Sequence, residues 1–331
     1  MIIGLIAGPI VGVLLNDYIA VTPARLTRLL ESGDVEGFND LRAQFKQQIS
    51  FERIDLSNKN LSGVNLDSVI LLHSNLFNTN LEDSSLENAQ ISGNLTNINL
   101  KNAHLPNAHL AGASLRGADL TGAFLGDADL TDASLDNATL TNADFSGADL
   151  TDASLDNATL TNAEFSGVTL TNAFLIGANL RNADLDDDIL TTARIVNTTL
   201  VNASLADADL SDADLHNNDL TNANFYDADL SDASLVNTTL VNASLADADL
   251  SDASLVNSTL VNASLADADL SEAYIVRDNL MNVDMNLTNL SETIFDCESV
   301  RTVTTNHAVN ANQLHIVEIN NGSIKEISSC Q

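Results

Sequence analysis

An apolar residue falls at every fifth position from Leu95 to Phe295, 41 consecutive times, and that beat leaves the chain few ways to fold. Thirty-four of these centres are Leu; the others are Phe145, Phe165, Ile195, Phe225, Ile275, Met285 and Phe295. Two residues before each centre lies a second selected position, which is Ala in 29 of the 41. The unit is Ala-(Asp/Asn/Ser/Thr)-Leu-x-x, as in Ala118-Asp119-Leu120 and Ala148-Asp149-Leu150. The same beat runs upstream from Phe51 to Ile91, and the two tracts are offset because Ile91 to Leu95 is a step of four.

Neither regular element accommodates this period. An α-helix would rotate its apolar residues by roughly 140° per unit and scatter them around the axis. A strand would send successive leucines to opposite faces. The chain must therefore turn once per unit, each time bringing one large and one small side chain inward. A longer period gives the number of turns per coil. Residues 135–154 nearly recur as 155–174, and 235–254 recur almost unchanged as 255–274. Twenty residues hold four units, so the chain reads as a square solenoid with four faces.

This pattern resembles the pentapeptide-repeat family, whose unit is Ala-(Asp/Asn)-Leu-x-x. The resemblance covers about residues 51–296, some three quarters of the chain. It implies an all-β solenoid, a right-handed quadrilateral parallel β-helix, here of about 12 coils. At roughly 4.8 Å between stacked strands the rod would be about 60 Å long. The expected organisation is an apolar segment (1–23), a helical cap (24–49), the repeat (50–296) and a C-terminal cap or hairpin (297–331).

Stacking at steps of twenty makes columns of like side chains. Leucines form one continuous core, with Phe145 and Phe165 in one column and Phe225 three coils beyond. In one column the small inward position is polar: Thr198, Asn218, Thr238, Ser258 and Asp278 replace Ala, which predicts a hydrogen-bonded ladder beside the core. A second ladder is Asn142, Asn162, Asn182, Asn202, Asn222, Asn242, Asn262 and Asn282. Stacked amides bond up and down a column, and Asn tolerates the backbone angles of a corner.

The outward positions divide the rod into unlike sides. One side is expected to be an acidic interaction face: Asp207, Asp227, Asp247 and Asp267; beside them Asp209, Asp229, Asp249 and Asp269; then Asp212, Asp232, Asp252 and Glu272. Between Ile195 and Val276 there are 14 acidic residues and no Lys or Arg. The adjoining sides carry aliphatic columns, Val196, Val236, Val256 and Val276 in one and Val201, Val241, Val261 and Met281 in the other. Exposed aliphatic columns on a flat surface suggest a contact face; β-branched packing on a pleated surface is the alternative.

The ends differ from the repeat. Met1–Leu15 are apolar and uncharged, short of the roughly 20 residues a membrane span needs. Residues 1–21 are read either as a membrane attachment, with Arg25 and Arg28 holding the rod on the cytoplasmic side, or as a segment packed on the solenoid or disordered. The location is left open, with a cytoplasmic or cytoplasmic-side membrane-associated one favoured. Pro23 opens a helix, and two short helices, about 24–31 and 35–48, are expected to cover the first coil. At the other end, Asn320-Asn321-Gly322-Ser323 between two apolar runs marks a hairpin. Cys297 and Cys330 flank this tail, either bridged or as free thiols.

Composition closes several functional classes. Thirteen basic against 46 acidic side chains give a net charge of −33, which disfavours direct nucleic-acid binding. No Gly-rich phosphate loop, His/Cys metal spacing or nucleophile elbow is present. His216 can be drawn into a serine/histidine/carboxylate triplet, but in a repeat this rich in Ser and Asp that discriminates nothing. No catalytic residue, cofactor or stoichiometric metal site is assigned; the acid rows suit only diffuse cation binding. The expected function is a non-catalytic scaffold that binds an unidentified protein partner through flat faces. The alternative comes from the resemblance alone. Family members of the quinolone-resistance type mimic duplex DNA and occupy the DNA site of gyrase, a type II topoisomerase. Rows such as Thr139, Thr159, Thr199, Thr239 and Thr259 also suggest ice binding, which the neighbouring Val rows disfavour.

Overall fold

The computed structural model describes residues 22–45, 48–302, 315–320 and 323–326. From Ser50 to Asn289 the chain is a solenoid in which each residue preceding a centre pairs in parallel with its counterpart in the next coil. Asp119 pairs with Thr139, Thr139 with Thr159, and Asp209 with Asp229 and onward to Asp249, Asp269 and Asn289. The coil thus closes after twenty residues and turns four times on the way round.

The five backbone N–H groups of a unit show why it folds this way. In the unit around Leu120, the N–H of Leu120 donates to Thr139 O (2.7 Å) and that of Gly122 to Thr141 O (2.9 Å), both in the next coil. Asp119 N–H donates to Ile98 O in the previous coil, and Ala123 N–H closes the turn on Leu120 O, both at 2.9 Å. The fifth, Thr121 N–H, has no backbone acceptor and is taken by the Asp119 carboxylate at 3.0 Å. An unpaired amide in such a tight turn would be costly, so the position before each centre favours a short side chain with an acceptor oxygen.

Each corner is the second residue after a centre, which adopts the left-handed conformation. Asn142 has φ 56°, Asp207 58°, Asp212 57° and Asn242 57°. Only Gly, Asn and Asp visit this region cheaply, and the corners are nearly all of these three. The exceptions are Arg53, Ser68, His73, Thr192 (φ 60°), Glu272, Arg277, Leu287 (φ 61°) and Glu292.

Inside, the centres and the small residues two before them are buried along the whole column. Phe145 and Phe165 stack with ring centroids 5.2 Å apart and planes 10° from parallel. The step of four between Ile91 and Leu95 is absorbed within one coil. There β1 (Ile70–Asn75) pairs in parallel with β2 (Gln90–Asn94), and the register slips between Leu71 and Ser74. Pairing then runs at steps of nineteen (Asn80 with Asn99, Ser85 with His104, Gln90 with His109) before returning to twenty at Asn94 with Ser114. The slip requires Gly93: at φ 117° its backbone lies so close to Ser74 that an added Cβ would sit 2.3 Å from Ser74 O.

Two helices pack on the first coil, α1 (Pro23–Ser32) and α2 (Val35–Arg42). Thr22 caps α1, Pro23 opens it and left-handed Gly33 ends it. Leu26, Leu30 and Phe38 are buried in the same apolar cluster as the leucine column. Phe38 meets Phe51 with ring centroids 6.3 Å apart. The second helix stops at Arg42, short of the expected residue 48. Its guanidinium donates to Phe45 O (2.8 Å) and Asp67 O (2.6 Å), so the exit is tied to the solenoid and the helix does not continue.

At the far end β3 (Tyr274–Ile275), β4 (Ile294–Asp296) and β5 (His315–Asn320) pair in parallel, and β6 (Ser323–Glu326) pairs antiparallel with β5. The register of Asn320 with Ser323 sets a two-residue connection. A four-residue helix, α3 (Cys297–Val300), is capped by Asp296, and Cys297 is disulfide-bonded. Residues 1–21, read above as a membrane attachment or a packed segment, lie outside the described residues. Among the described residues no helix is long and apolar enough to cross a membrane.

Candidate interaction faces

The twelve acids fall on one side and its two edges. Asp209, Asp229, Asp249 and Asp269 precede centres and are bridged to one another along the middle of the side. Asp207, Asp227, Asp247 and Asp267 form the corner before it, and Asp212, Asp232, Asp252 and Glu272 the corner after it, all left-handed and exposed. The mid-side carboxylates accept from serines two residues on. Ser211 donates to Asp209 Oδ1 from its N–H (3.0 Å) and hydroxyl (2.6 Å), and Ser231, Ser251 and Ser271 repeat the N–H contact.

These surroundings pull neighbouring carboxyls in opposite directions. Partial desolvation opposes ionisation of Asp209, but bonds from Ser211 and Thr191 outweigh it and hold the group below the ordinary carboxylate range. Asp207 is raised, by desolvation first and then by the charges of Asp227, Asp187 and Asp186. Tyr226 is raised as well, chiefly by Asp247.

Two corners away lies a side of different chemistry, carrying Thr199, Asp219, Thr239 and Thr259. The corner after it is the asparagine ladder. Asn162 donates from Nδ2 to Asn142 Oδ1 at 3.0 Å, and the bond repeats through Asn182, Asn202, Asn222, Asn242, Asn262 and Asn282 at 2.9–3.1 Å. The corner before it holds a shorter ladder, Asn257 to Asn237 (2.6 Å) and Asn237 to Asn217 (3.1 Å).

The aliphatic columns bound this amide side, and here the structure corrects the expected exposure. Val196, Val201 and Val276 are buried, and Val236, Val241, Val256 and Val261 are half-buried. Only Met281 stands well out, at 50% exposure. Each Val directly follows a centre, where the turn folds its side chain against neighbouring coils. The columns are largely seams of packing and not raised contact surfaces.

The inward polar column is hydrogen-bonded from coil to coil. Thr198 N–H donates to Asn218 Oδ1 (2.7 Å), Thr238 N–H to Ser258 Oγ (3.0 Å) and Ser258 N–H to Asp278 Oδ1 (2.5 Å). Asp278 N–H donates to Ser299 Oγ (2.9 Å), which ties the last coil to α3. Asp278 Oδ2 is buried without a partner, and burial, with Asp296 nearby, pushes its carboxyl up to about 8.

Sequence reasoning missed Asp188, which is buried on another side. Its Oδ1 accepts Val168 N–H at 2.7 Å while Oδ2 has no partner. Burial, with Asp184 and Asp186 adding charge, raises it to about 8. The available signal was an Asp in the alanine position of Leu185–Leu190. His216, drawn above into a triplet, contacts Asp214 through Nδ1. No group of three or more His, Cys, Asp or Glu able to hold a metal occurs among the described residues.

A long solenoid with one acid side, one amide side and a packed leucine column defines a repeat protein. The family profile of pentapeptide repeats matches in eight copies, within residues 47–187 and 198–286. The chain belongs to the pentapeptide-repeat family, whose members of known structure form right-handed quadrilateral β-helices and are in general non-enzymatic structural or interaction proteins.

Among solved structures the chain is similar to HetL, involved in heterocyst differentiation regulation in the cyanobacterium Nostoc sp. strain PCC 7120. Identity is 26%, covering 75% of this chain and 92% of that one, with a TM-score of 0.29. It is similar also to Rfr23 of the cyanobacterium Cyanothece 51142, at 23% identity over 52% and 97% of the two chains, TM-score 0.26. A third is QnrB1, a plasmid-mediated fluoroquinolone resistance protein, at 14% identity over 70% and 91%, TM-score 0.18. A comparison with curated proteins gives no match.

Proposed function

We propose that this chain is a non-catalytic scaffold, a rod of about twelve coils covered at its start by α1 and α2, that binds a protein partner through its acid side. One observation carries this reading. The fold asks for Gly, Asn or Asp at the corner and favours a short side chain with an acceptor oxygen before the centre, and Asn or Asp satisfies both demands. On the amide side the corners are Asn; on the acid side they are nearly all Asp. Carboxylates stacked about 4.8 Å apart repel by roughly 0.9 kcal/mol per pair in water, whereas stacked amides bond one another. Folding therefore favours Asn everywhere, and the use of Asp along one side supports a role in recognition, with a cationic protein surface as the complement.

The test is affinity capture with the wild type and with a variant carrying Asn at the eleven Asp positions and Gln at Glu272. A partner held by the wild type and lost by the folded variant supports the reading. Equal capture by both, or an inert monomer by light scattering, refutes it.

The acidity also favours a second reading, mimicry of DNA toward a type II topoisomerase. A supercoiling assay with purified gyrase separates the two: inhibition or drug protection at micromolar protein favours mimicry, and no effect removes it.

A further inference from the structure

The middle row of the acid side is interrupted once, at mid-rod. Along its middle the bridged residues run Asp129, Asp149, Thr169, Ile189, Asp209, Asp229. The corner that follows runs in step, with Asp132 and Asp152, then Asn172 and Thr192, then Asp212. On the adjoining side, at the same height, Ser154, Phe174, Arg194 and Asp214 are bridged in order. Two successive coils thus open a window in the middle row and the following edge of the acid strip, about 10 Å tall at the spacing of stacked strands, while Asp187 keeps the preceding corner acidic at the height of Ile189.

What fills the window is apolar and exposed. Ile189 is 44% and Phe174 37% exposed, and the Arg194 guanidinium lies 5.7 Å from the centre of the Phe174 ring. Arg181 and Arg194 are the only basic residues between Arg116 and Arg277. The window also coincides with a local disagreement between sequence and fold, of a kind that recurs at Arg277 and Asp278. Within Leu185–Ile195, Asp188 replaces the inward Ala and is buried with an unpartnered oxygen, and the β-branched Thr192 is held at φ 60°. Sequences tend to break their own rules where a site is retained at the expense of folding.

We infer that this window seats an apolar side chain of a cationic protein segment laid along the edge between the acid side and its neighbour. The proposal rests on the acid side being a recognition surface and adds where specificity lies. Carboxylates bound the window on both sides along the rod, so the complementary segment carries basic residues before and after its apolar ones. Asp149 and Asp209 are three coils apart, about 14 Å at the strand spacing, which an extended peptide crosses in about four residues. Charge along the strip supplies attraction to any polycation, and burial of Phe174 and Ile189 distinguishes the right one.

The experiment uses the full chain and two peptides, Lys-Lys-Leu-Trp-Leu-Lys-Lys and the control Lys-Lys-Ser-Gly-Ser-Lys-Lys. The protein has no Trp, so peptide fluorescence reports binding of the first directly, and displacement of the first reports the second. At physiological salt the apolar peptide is expected to bind at least tenfold more tightly, in line with burial of one or two large side chains. Ile189→Asp and Phe174→Ser should each reduce that preference to about twofold or less. Phe124→Ser, which removes an exposed Phe from a different side, should leave it intact. Phe174 and Ile189 are both exposed, and unchanged circular-dichroism melts would show that the variants fold. Equal affinity for both peptides, or a preference that survives Ile189→Asp and Phe174→Ser, overturns the window and leaves the acid-side reading standing. Binding of neither peptide overturns both.

Discussion

Replacing one ladder asparagine in two ways should separate what the corner demands from what the ladder adds. Asn242 sits at φ 57°, donates to Asn222 at 3.0 Å and accepts from Asn262 at 3.1 Å. Asn242→Gly keeps the left-handed backbone and loses only those two exposed amide bonds, about 1 kcal/mol in all if each is worth about 0.5 at the low end of the usual range. Asn242→Ala loses the same bonds and adds the left-handed penalty of about 1–2 kcal/mol for an ordinary L residue, for a total of about 2–3 kcal/mol. A long repeat array need not unfold in one step, so a single melting temperature can hide a local loss. The better assay is native-state hydrogen exchange at the amides of Asn222 and Asn242, which donate to Val241 O and Val261 O across this corner. Protection should fall in the order wild type, Gly, Ala. Equal loss in the two variants, or a Gly variant worse than Ala, would refute the argument that corner geometry selects these residues.

Three further outcomes follow. Gly93→Ala should destabilise the coil around Ile91 by more than 3 kcal/mol, because the new Cβ meets the Ser74 backbone at 2.3 Å and φ is positive; exchange limited to residues 70–94 would check it. Asp188 keeps its proton in the folded chain up to about 8, against 3.8 when unfolded, so the folded state binds more protons. Its contribution is complete below about 3.8 and is lost as pH rises to about 8. Asp188→Ala should flatten the fall of melting temperature between pH 5 and pH 8, and an unchanged slope would contradict the buried carboxyl. Because Asp209, Asp229, Asp249 and Asp269 stack, thermal stability should rise with ionic strength; a flat or falling melting temperature from low to high salt would count against the stacked charges.

The functional faces were only partly legible in advance. The acid columns could be listed from the sequence because a period of twenty brings Asp209 over Asp229 whatever the local geometry. That Asp207 and Asp212 are corners was legible only through the asparagine column, which holds the same place in the five-residue unit. The role of Asp209 as acceptor for the one amide without a backbone partner was not legible. The Val columns illustrate the limit. Their spacing could be read, but whether a side chain following the centre points out or folds into the seam is set by the turn.

By itself the sequence determined the solenoid. A five-residue beat repeated through a twenty-residue period admits one kind of winding, and it placed Phe145 on Phe165, the ladder from Thr198 to Asp278 and the asparagine column. Tertiary structure decided where the winding tolerates error and what each column exposes. The four-residue step is absorbed at Gly93, where a missing Cβ permits a nineteen-residue coil. The second helix ends at Arg42, where its side chain reaches the Asp67 carbonyl of the solenoid. A carboxyl with one unpartnered oxygen is buried at Asp188, beside the gap in the middle row of the acid side. Each of these depends on contacts between residues about twenty or more positions apart, which periodicity brings to the same height without fixing which atoms meet.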